Sequence, residues 1–298
     1  MINLLPKGSP ELLKLSRPLH LLLAALTYVL GASIPGYLGR SFQPASFWLG
    51  LVAVLLAQLS MSLLNEVFRP QNEPILENET VIERMKLRNN ALYISIAALT
   101  VFTVIAFVLY LNLGLNISAR IFLVLSLILV VSYAIPPFRF LNRGFGELIL
   151  AAQIAYVIPS IGFLLRAEES NRLLIFIVTP LTALALAYFL ILNFVSFALD
   201  QKYQRGTMLR LFTWQRAVPL HHSLIVFAYA FLAIEPLFGF SFDLIWPAFL
   251  TLPFAIFQIV QLRAIALGAP PNWTLLTSTA LSVFGLTTYF LTLTFWLR

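Results

Sequence analysis

Residues 57–79 read AQLSMSLLNEVFRPQNEPILENE. An apolar helix acquires polar residues along one side and then runs into a cluster of acids. Gln58, Ser62, Asn65 and Arg69 follow one another at steps of four, three and four residues, which puts them on one face of a helix. Glu66 lies one residue round from Asn65. Pro70 lacks a backbone donor, so the helix is expected to end there. Polar side chains are costly to insert into a bilayer, so such a stripe faces a cavity or a protein interior rather than lipid.

The rest of the composition agrees with a membrane setting. The chain has 298 residues, of which 60% are hydrophobic and 10% charged, and its mean hydropathy is +0.91. A soluble domain carries about a quarter charged residues, so that class is excluded. With no cysteine, disulfides, thiolate zinc sites, iron–sulfur clusters and covalently attached haem are excluded too. Three histidines, His20, His221 and His222, leave little for an imidazole metal site. The opening MINLLPKGSPELLKLSRP lacks the short apolar run of a signal peptide. A net charge of +7 reflects basic loops on one side of a membrane, and no nucleic-acid partner is expected.

Nine apolar segments, roughly 17–39, 44–69, 90–111, 117–136, 146–165, 173–200, 218–238, 244–262 and 273–297, are each long enough to cross about 30 Å of hydrocarbon. The expected fold is all-α: a polytopic membrane protein whose nine transmembrane helices form one domain, residues 1–298, around a central cavity. With the N-terminus inside, the inner loops hold 14 Lys and Arg residues and the outer side holds 5, Arg40, Arg120, Arg166, Arg172 and Arg298. That asymmetry predicts a multi-pass protein of the cell (inner) membrane with a cytoplasmic N-terminus and an external C-terminus. Three inner loops are informative. Residues 70–89 are acidic and then basic, and Glu77, Glu79 and Glu83 followed by Arg84, Lys86 and Arg88 read as a solvated amphipathic loop helix. Residues 136–144 read PPFRFLNRG, and residues 201–217, QKYQRGTMLRLFTWQRA, form a basic loop.

Four pieces converge on the cytoplasmic side: Asn65, Glu66, Arg69 and Glu73; Arg139 and Arg143; Asn193, Ser196 and Asp200, which share a helix face; and Lys202, Arg205 and Arg210. Acids at two helix ends can hold a divalent cation through oxygen ligands, and basic loops beside them can bind phosphate. Above an apolar cavity the combination suits a lipid diphosphate. Blander readings stand beside these. Ser62 and Asn65 serve as interhelical hydrogen-bonding glue, Arg139 and Arg143 as positive-inside anchors, Asp200 as a cap, and His221-His222 as interfacial residues.

The chain resembles the UbiA superfamily of intramembrane prenyltransferases over nearly its whole length. Arg17-Pro18-Leu19 is similar to the family's R-P at the start of the first helix. Tyr133-Ala134-Ile135-Pro136-Pro137-Phe138-Arg139, then Arg143-Gly144-Phe145-Gly146-Glu147, resembles the Y-S-x-P-P-x-R…R-G-x-G-E connection. Asn72-Glu73-Pro74 resembles the N-R-P run after the first aspartate motif, and Asp200-Gln201-Lys202 up to Thr207 the tail of the second. The resemblance implies a helical bundle that transfers a prenyl chain from a diphosphate to an aromatic or quinone-precursor acceptor with Mg²⁺.

The departures fall on the metal-binding acids. Laid on Asn65, the three aspartates of the family's N-D-x-x-D-x-x-x-D fall on Glu66, Arg69 and Glu73; if Asn72-Glu73-Pro74 is instead the N-R-P run, the third acid is deleted; the second motif falls on Ser196, Ala198 and Asp200. The chain holds two aspartates in all, Asp200 and Asp243. The candidate metal ligands are therefore Glu66, Glu73 and Asp200. The candidate diphosphate or lipid-head residues are Asn65, Arg69, Arg139, Arg143, Asn193, Lys202 and Arg205. Mg²⁺ demands near-ideal octahedral oxygen geometry, and Arg69 repels a cation. Arg69 either pairs with Glu66 or Asp200 and fills the metal's place, or contacts diphosphate together with Lys202 and Arg139. The expectation is a non-catalytic protein that binds an isoprenoid, quinone or pigment tail, or serves as a structural subunit beside other membrane-complex subunits. The competing expectation is an active Mg²⁺-dependent prenyltransferase.

Overall fold

The computed structural model describes residues 9–70, 73–75, 79–167, 169 and 171–298, without the side chains of Ser9, Pro10 and Leu113. Lys7, Asn72 and Glu77, which enter the reading above, lie outside the described residues. Among the described residues twelve α-helices follow in order: α1 Ser9–Leu15, α2 Pro18–Tyr37, α3 Pro44–Val67, α4 Val81–Leu113, α5 Ile117–Ala134, α6 Gly146–Ala152, α7 Ile158–Leu164, α8 Arg172–Lys202, α9 Met208–Ile234, α10 Phe242–Ile245, α11 Leu252–Ala266 and α12 Trp273–Leu297. A π-helical segment, Gln153–Val157, joins α6 to α7 as one span. Among the described residues nine segments are long and apolar enough to cross a membrane.

Local chemistry starts and stops these helices where the apolar pattern alone leaves the ends open. Proline stands in the first turn of α2 and α3, where its missing donor costs nothing. The Asn116 and Asn272 side chains accept from the Ala119 and Leu275 backbone N–H groups at 2.6 and 3.1 Å, capping α5 and α12. Inside the spans, hydroxyls turn back on their own helix, as when Thr292 donates to the Thr288 carbonyl at 2.7 Å.

Two element boundaries differ from the sequence reading. Helix α4 starts at Val81, not near residue 90, because Thr80 and Glu83 form a reciprocal capping box and Arg84 pairs with Glu79 at 2.5 Å. Its 33 residues extend about 50 Å, well beyond the hydrocarbon, so the acidic–basic stretch is the projecting start of a membrane helix rather than a separate loop helix. Residues 208–217 are helical as well, not loop. Helix α9 begins at Met208 and breaks at Thr213, whose φ is 62°.

The span 146–164 and helix α8 are buried inside the bundle, whereas α4 and α5 turn most of their surface outward. A close crossing joins α2 to α7. A Cβ on Gly31 would overlap the Pro159 carbonyl, and one on Gly162 would come within 2.5 Å of the Tyr28 carbonyl oxygen. Small residues let the two backbones touch, as helix pairs in lipid require when no hydrophobic force drives them together. Gly31→Leu is expected to lower the thermal stability of the detergent-solubilised protein by about 1–3 kcal/mol through overpacking. Gly285→Ala, whose added methyl meets only Leu23 and Leu281 methyls at 3.8 Å, should leave it unchanged. Equal melting temperatures for Gly31→Leu and the unchanged chain would count against the crossing.

Candidate functional site

Helix α3 ends at Val67, and Pro70 prevents its continuation. The chain turns at once: the Glu73 backbone N–H donates to the Pro70 carbonyl at 3.2 Å, and Arg88 on α4 donates to the same carbonyl at 2.9 Å. This turn folds Glu73 back beside the end of α3, where it is almost wholly buried. On the other side of the cavity α8 ends in a tight reversal. The Arg205 N–H donates to the Asp200 carbonyl at 2.9 Å, and Gln204 takes a left-handed φ of 55°. The reversal returns the Arg205 side chain over Asp200.

These two turns bring six charged side chains into an alternating chain. Arg17 contacts Glu66 at 3.3 Å, and Glu66 contacts Arg69 at 2.7 Å. Arg69 reaches Glu73 at 3.3 Å, Glu73 pairs with Arg205, and Arg205 donates to Asp200 at 2.9 Å. Three guanidiniums and three carboxylates sum to zero. Glu66, Glu73 and Asp200 are buried, so each needs a charged, hydrogen-bonded partner to offset its lost hydration. Asn65 donates to Glu66 at 3.2 Å and Ser196 to Asp200 at 2.8 Å, which satisfies further lone pairs. Burial works against the charge on Arg205. Its bonds to Glu73 and Asp200 outweigh that and raise its pKa above the ordinary guanidinium value.

The chain of pairs lines a cavity of about 240 Å³. Its lining sets apolar side chains, Leu150, Phe189 and Leu192 among them, beside polar ones. Two loops close over it. Gly206 packs so tightly on Asn142 that a Cβ there would overlap the Asn142 carbonyl. Glu147 at the start of α6 accepts from Asn193 on α8 and from the Met208 N–H at the start of α9, tying three helices at one carboxylate. Arg139 also lines the cavity. Among the described residues it has no ion-pair partner, and its Nε is buried without an acceptor. Burial holds its pKa below the usual guanidinium value, and the field of Glu73 restores part of it. Arg139 is thus the cationic group of the cavity that an incoming anion would meet.

Of the residues singled out from sequence, Asn65, Arg69, Glu73, Arg139, Asn193, Asp200 and Arg205 line the cavity, and Glu66 bonds to them. Two candidates lie elsewhere. Arg143 donates to the Pro137 carbonyl at 2.9 Å and is exposed. Lys202 rests over the Tyr203 ring at 5.2 Å, two residues and so about 200° round the helix from Asp200. Arg69 pairs with Glu66 and Glu73 rather than with Asp200. Arg17, His20, Tyr133, Glu147 and Thr207 line the cavity without having been singled out as site residues. Arg17, Tyr133 and Glu147 stand inside the motifs that carry the family resemblance, which was the available signal. His221, read from sequence as interfacial, is fully buried and bonds Gln258 at 2.8 Å.

The donor set does not fit Mg²⁺. A divalent ion needs several oxygen ligands converging on one point. Among the described residues no three acidic or imidazole side chains gather closely enough to hold a metal ion. A guanidinium stands between Glu66 and Glu73, and another between Glu73 and Asp200.

No family model and no curated protein matches the sequence. Solved structures do match the fold. The chain is similar to a UbiA homologue from Archaeoglobus fulgidus bound to GPP and Mg²⁺, with a TM-score of 0.64 and 16% identity over 96% of this chain and 99% of that one. It is also similar to a digeranylgeranylglyceryl phosphate synthase (TM-score 0.61, 15% identity, 98% of each chain). A third match is the apo form of a UbiA homologue from Aeropyrum pernix K1 (TM-score 0.53, 16% identity, 88% of this chain and 96% of that one). The chain therefore has the UbiA fold, that of a multi-pass helical membrane protein.

The ion-pair chain makes a double-mutant prediction. Arg69→Gln leaves Glu66 and Glu73 each one partner short and is expected to destabilise the protein by about 2–4 kcal/mol. Combining it with Glu73→Gln should recover more than about 1 kcal/mol of that loss. Strictly additive melting shifts for the two changes would show that the pair does not interact.

Proposed function

We propose that this UbiA-fold protein binds an isoprenoid lipid, such as a quinone or pigment with a prenyl tail, and does not catalyse prenyl transfer. The observation that carries the reading is the alternating chain Arg17–Glu66–Arg69–Glu73–Arg205–Asp200. Ionising a prenyl diphosphate concentrates negative charge on the leaving group, and a bound divalent ion is the means of stabilising it. Here internal guanidiniums already neutralise the acids that would hold such an ion. The UbiA homologue whose structure contains GPP and Mg²⁺ supports isoprenoid binding as the common property of the fold.

The cavity volume, about 240 Å³, is below the roughly 300–1,000 Å³ of ordinary small-molecule sites. It suits a head group and the first carbons of a tail, with the remainder in the bilayer. Arg139 supplies an unneutralised donor fork for a phosphate, carboxylate or quinone oxygen on that head. Leu150, Phe189 and Leu192 meet the first apolar carbons. A role as a subunit of a membrane complex follows from the same reading, with the lipid as the shared element. The mostly unburied faces of α4 and α5 are compatible with that role.

Titration of the purified protein with a non-hydrolysable geranylgeranyl diphosphate analogue tests the proposal. Binding should have the same affinity in Mg²⁺ and in EDTA and should weaken at least about tenfold in Arg139→Ala, the loss of one buried charge-assisted contact. No diphosphate should be released from the natural compound in the presence of an aromatic acceptor. Tight binding that requires Mg²⁺ and disappears in Glu66→Ala or Asp200→Ala, with turnover, would establish an active Mg²⁺-dependent prenyltransferase instead.

A further inference from the structure

Among the described residues Arg40, Arg120, Arg166, Arg172 and Arg298 lie, by helix order, at the face opposite the ion-paired cavity, and three of them, Arg40, Arg166 and Arg298, line a single cavity of about 250 Å³. Each comes from a different part of the fold. Arg40 follows α2, Arg166 follows α7, and Arg298 ends α12. Phe42, Phe295 and Trp296 supply the apolar wall.

The backbone around the cavity is pinned. Gly39 takes a left-handed φ of 80°, and the Arg40 N–H donates to the Pro35 carbonyl at 2.9 Å, closing the end of α2. Arg166 donates to the Ala32 carbonyl and, at 3.3 Å, to the Arg40 carbonyl, with its plane 4.9 Å over the Phe42 ring. The Arg166 guanidinium is thereby used in holding the cavity together. Those of Arg40 and Arg298 remain directed at it with little to neutralise them. Among the described residues Arg40 has no ion-pair partner, and Arg298 pairs with Asp243 at 3.8 Å, where the Asp243 side chain is 68% exposed. Three like charges drawn to one small cavity repel unless an anion joins them.

The surroundings point to a lipid as the carrier of that anion. Phe42 lies 6.1 Å from Trp296, and Tyr37 lies 5.6 Å from Phe295. Phe42 and Trp296 are nearly half exposed at helix ends, which is where an aromatic belt meets the head-group layer. We infer that this cavity binds the phosphate of an anionic membrane lipid, in the leaflet opposite the ion-paired cavity. Two guanidinium forks hold the phosphate oxygens, and the acyl chains lie against Phe42 and Trp296. This site is separate from the proposed isoprenoid cavity and stands or falls independently of it.

Trp296 is a built-in reporter. The full chain is placed in phosphatidylcholine nanodiscs containing phosphatidylglycerol whose acyl chains carry bromine, a contact quencher of indole. The Trp296 signal is obtained by difference from the Trp296→Phe chain. Quenching should exceed severalfold that by brominated phosphatidylcholine at the same mole fraction, and it should fall to the phosphatidylcholine level in Arg40→Gln/Arg298→Gln. Inorganic phosphate should not relieve it. Equal quenching by the two lipids in the unchanged chain overturns the inference whether or not the double variant folds. Undiminished quenching in a folded double variant overturns it as well. Relief by inorganic phosphate at concentrations comparable to the lipid would identify a free-anion site and overturn the lipid assignment.

Discussion

Buried carboxylates must be neutralised, and in this protein arginines do it. Glu66, Glu73 and Asp200 come from the end of one membrane helix, the turn after it and the end of another, and all three are buried, where a carboxylate needs hydrogen-bonded partners to offset its lost hydration. Arg69 and Arg205 bridge them, and Arg17 closes the row from the start of α2. The row therefore fixes the relative positions of α2, α3 and α8 at one face of the bundle. It also fixes the two reversals that close the cavity, because Arg205 reaches Glu73 only when the turn after α8 and the turn after α3 both fold inward.

The same constraint shapes what the cavity can do. A site built to hold divalent ions presents oxygens and leaves the centre open for cations. This site places planar cations at the centre and presents a spare guanidinium, Arg139, at the rim. That arrangement underlies the proposal that the site recognises an anionic or polar head group rather than polarising a leaving group. The UbiA fold, shared at TM-scores from 0.53 to 0.64 with chains only 15–16% identical, supplies the bundle. The side chains within it set the chemistry.

Much of this was legible in the sequence, for a physical reason. Long apolar runs have one stable solution in lipid, so nine spans and an all-helical bundle follow from composition and length. The helix ends were less legible. Three turns of α4 and the first turns of α9 carry polar and charged residues whose helicity depends on the cap at Thr80 and on packing against neighbouring loops, neither of which has an apolar period. In the site, the sequence set Arg69 among acids and offered it either a carboxylate partner or a diphosphate contact. Its partner did not show. Asp200 stood as an equal choice to Glu66 until the turn at Pro70 placed Glu73 within reach and left Asp200 to Arg205. Lys202 and Arg143 illustrate the opposite error: charge near a site in sequence says nothing about direction, and one lies round the back of α8 while the other bonds its own loop. Glu147 is the converse case, a carboxylate whose importance arises from three partners far apart in the chain.

The central claim is that guanidinium groups, not metal ions, lie between Glu66, Glu73 and Asp200. A high-resolution density map of the protein prepared with Mg²⁺ and a prenyl diphosphate analogue tests it directly. The account predicts planar density of Arg69 and Arg205 between those carboxylates. Octahedrally coordinated ions bridging Glu66, Glu73 and Asp200 beneath a pyrophosphate, with both arginines displaced, would contradict it.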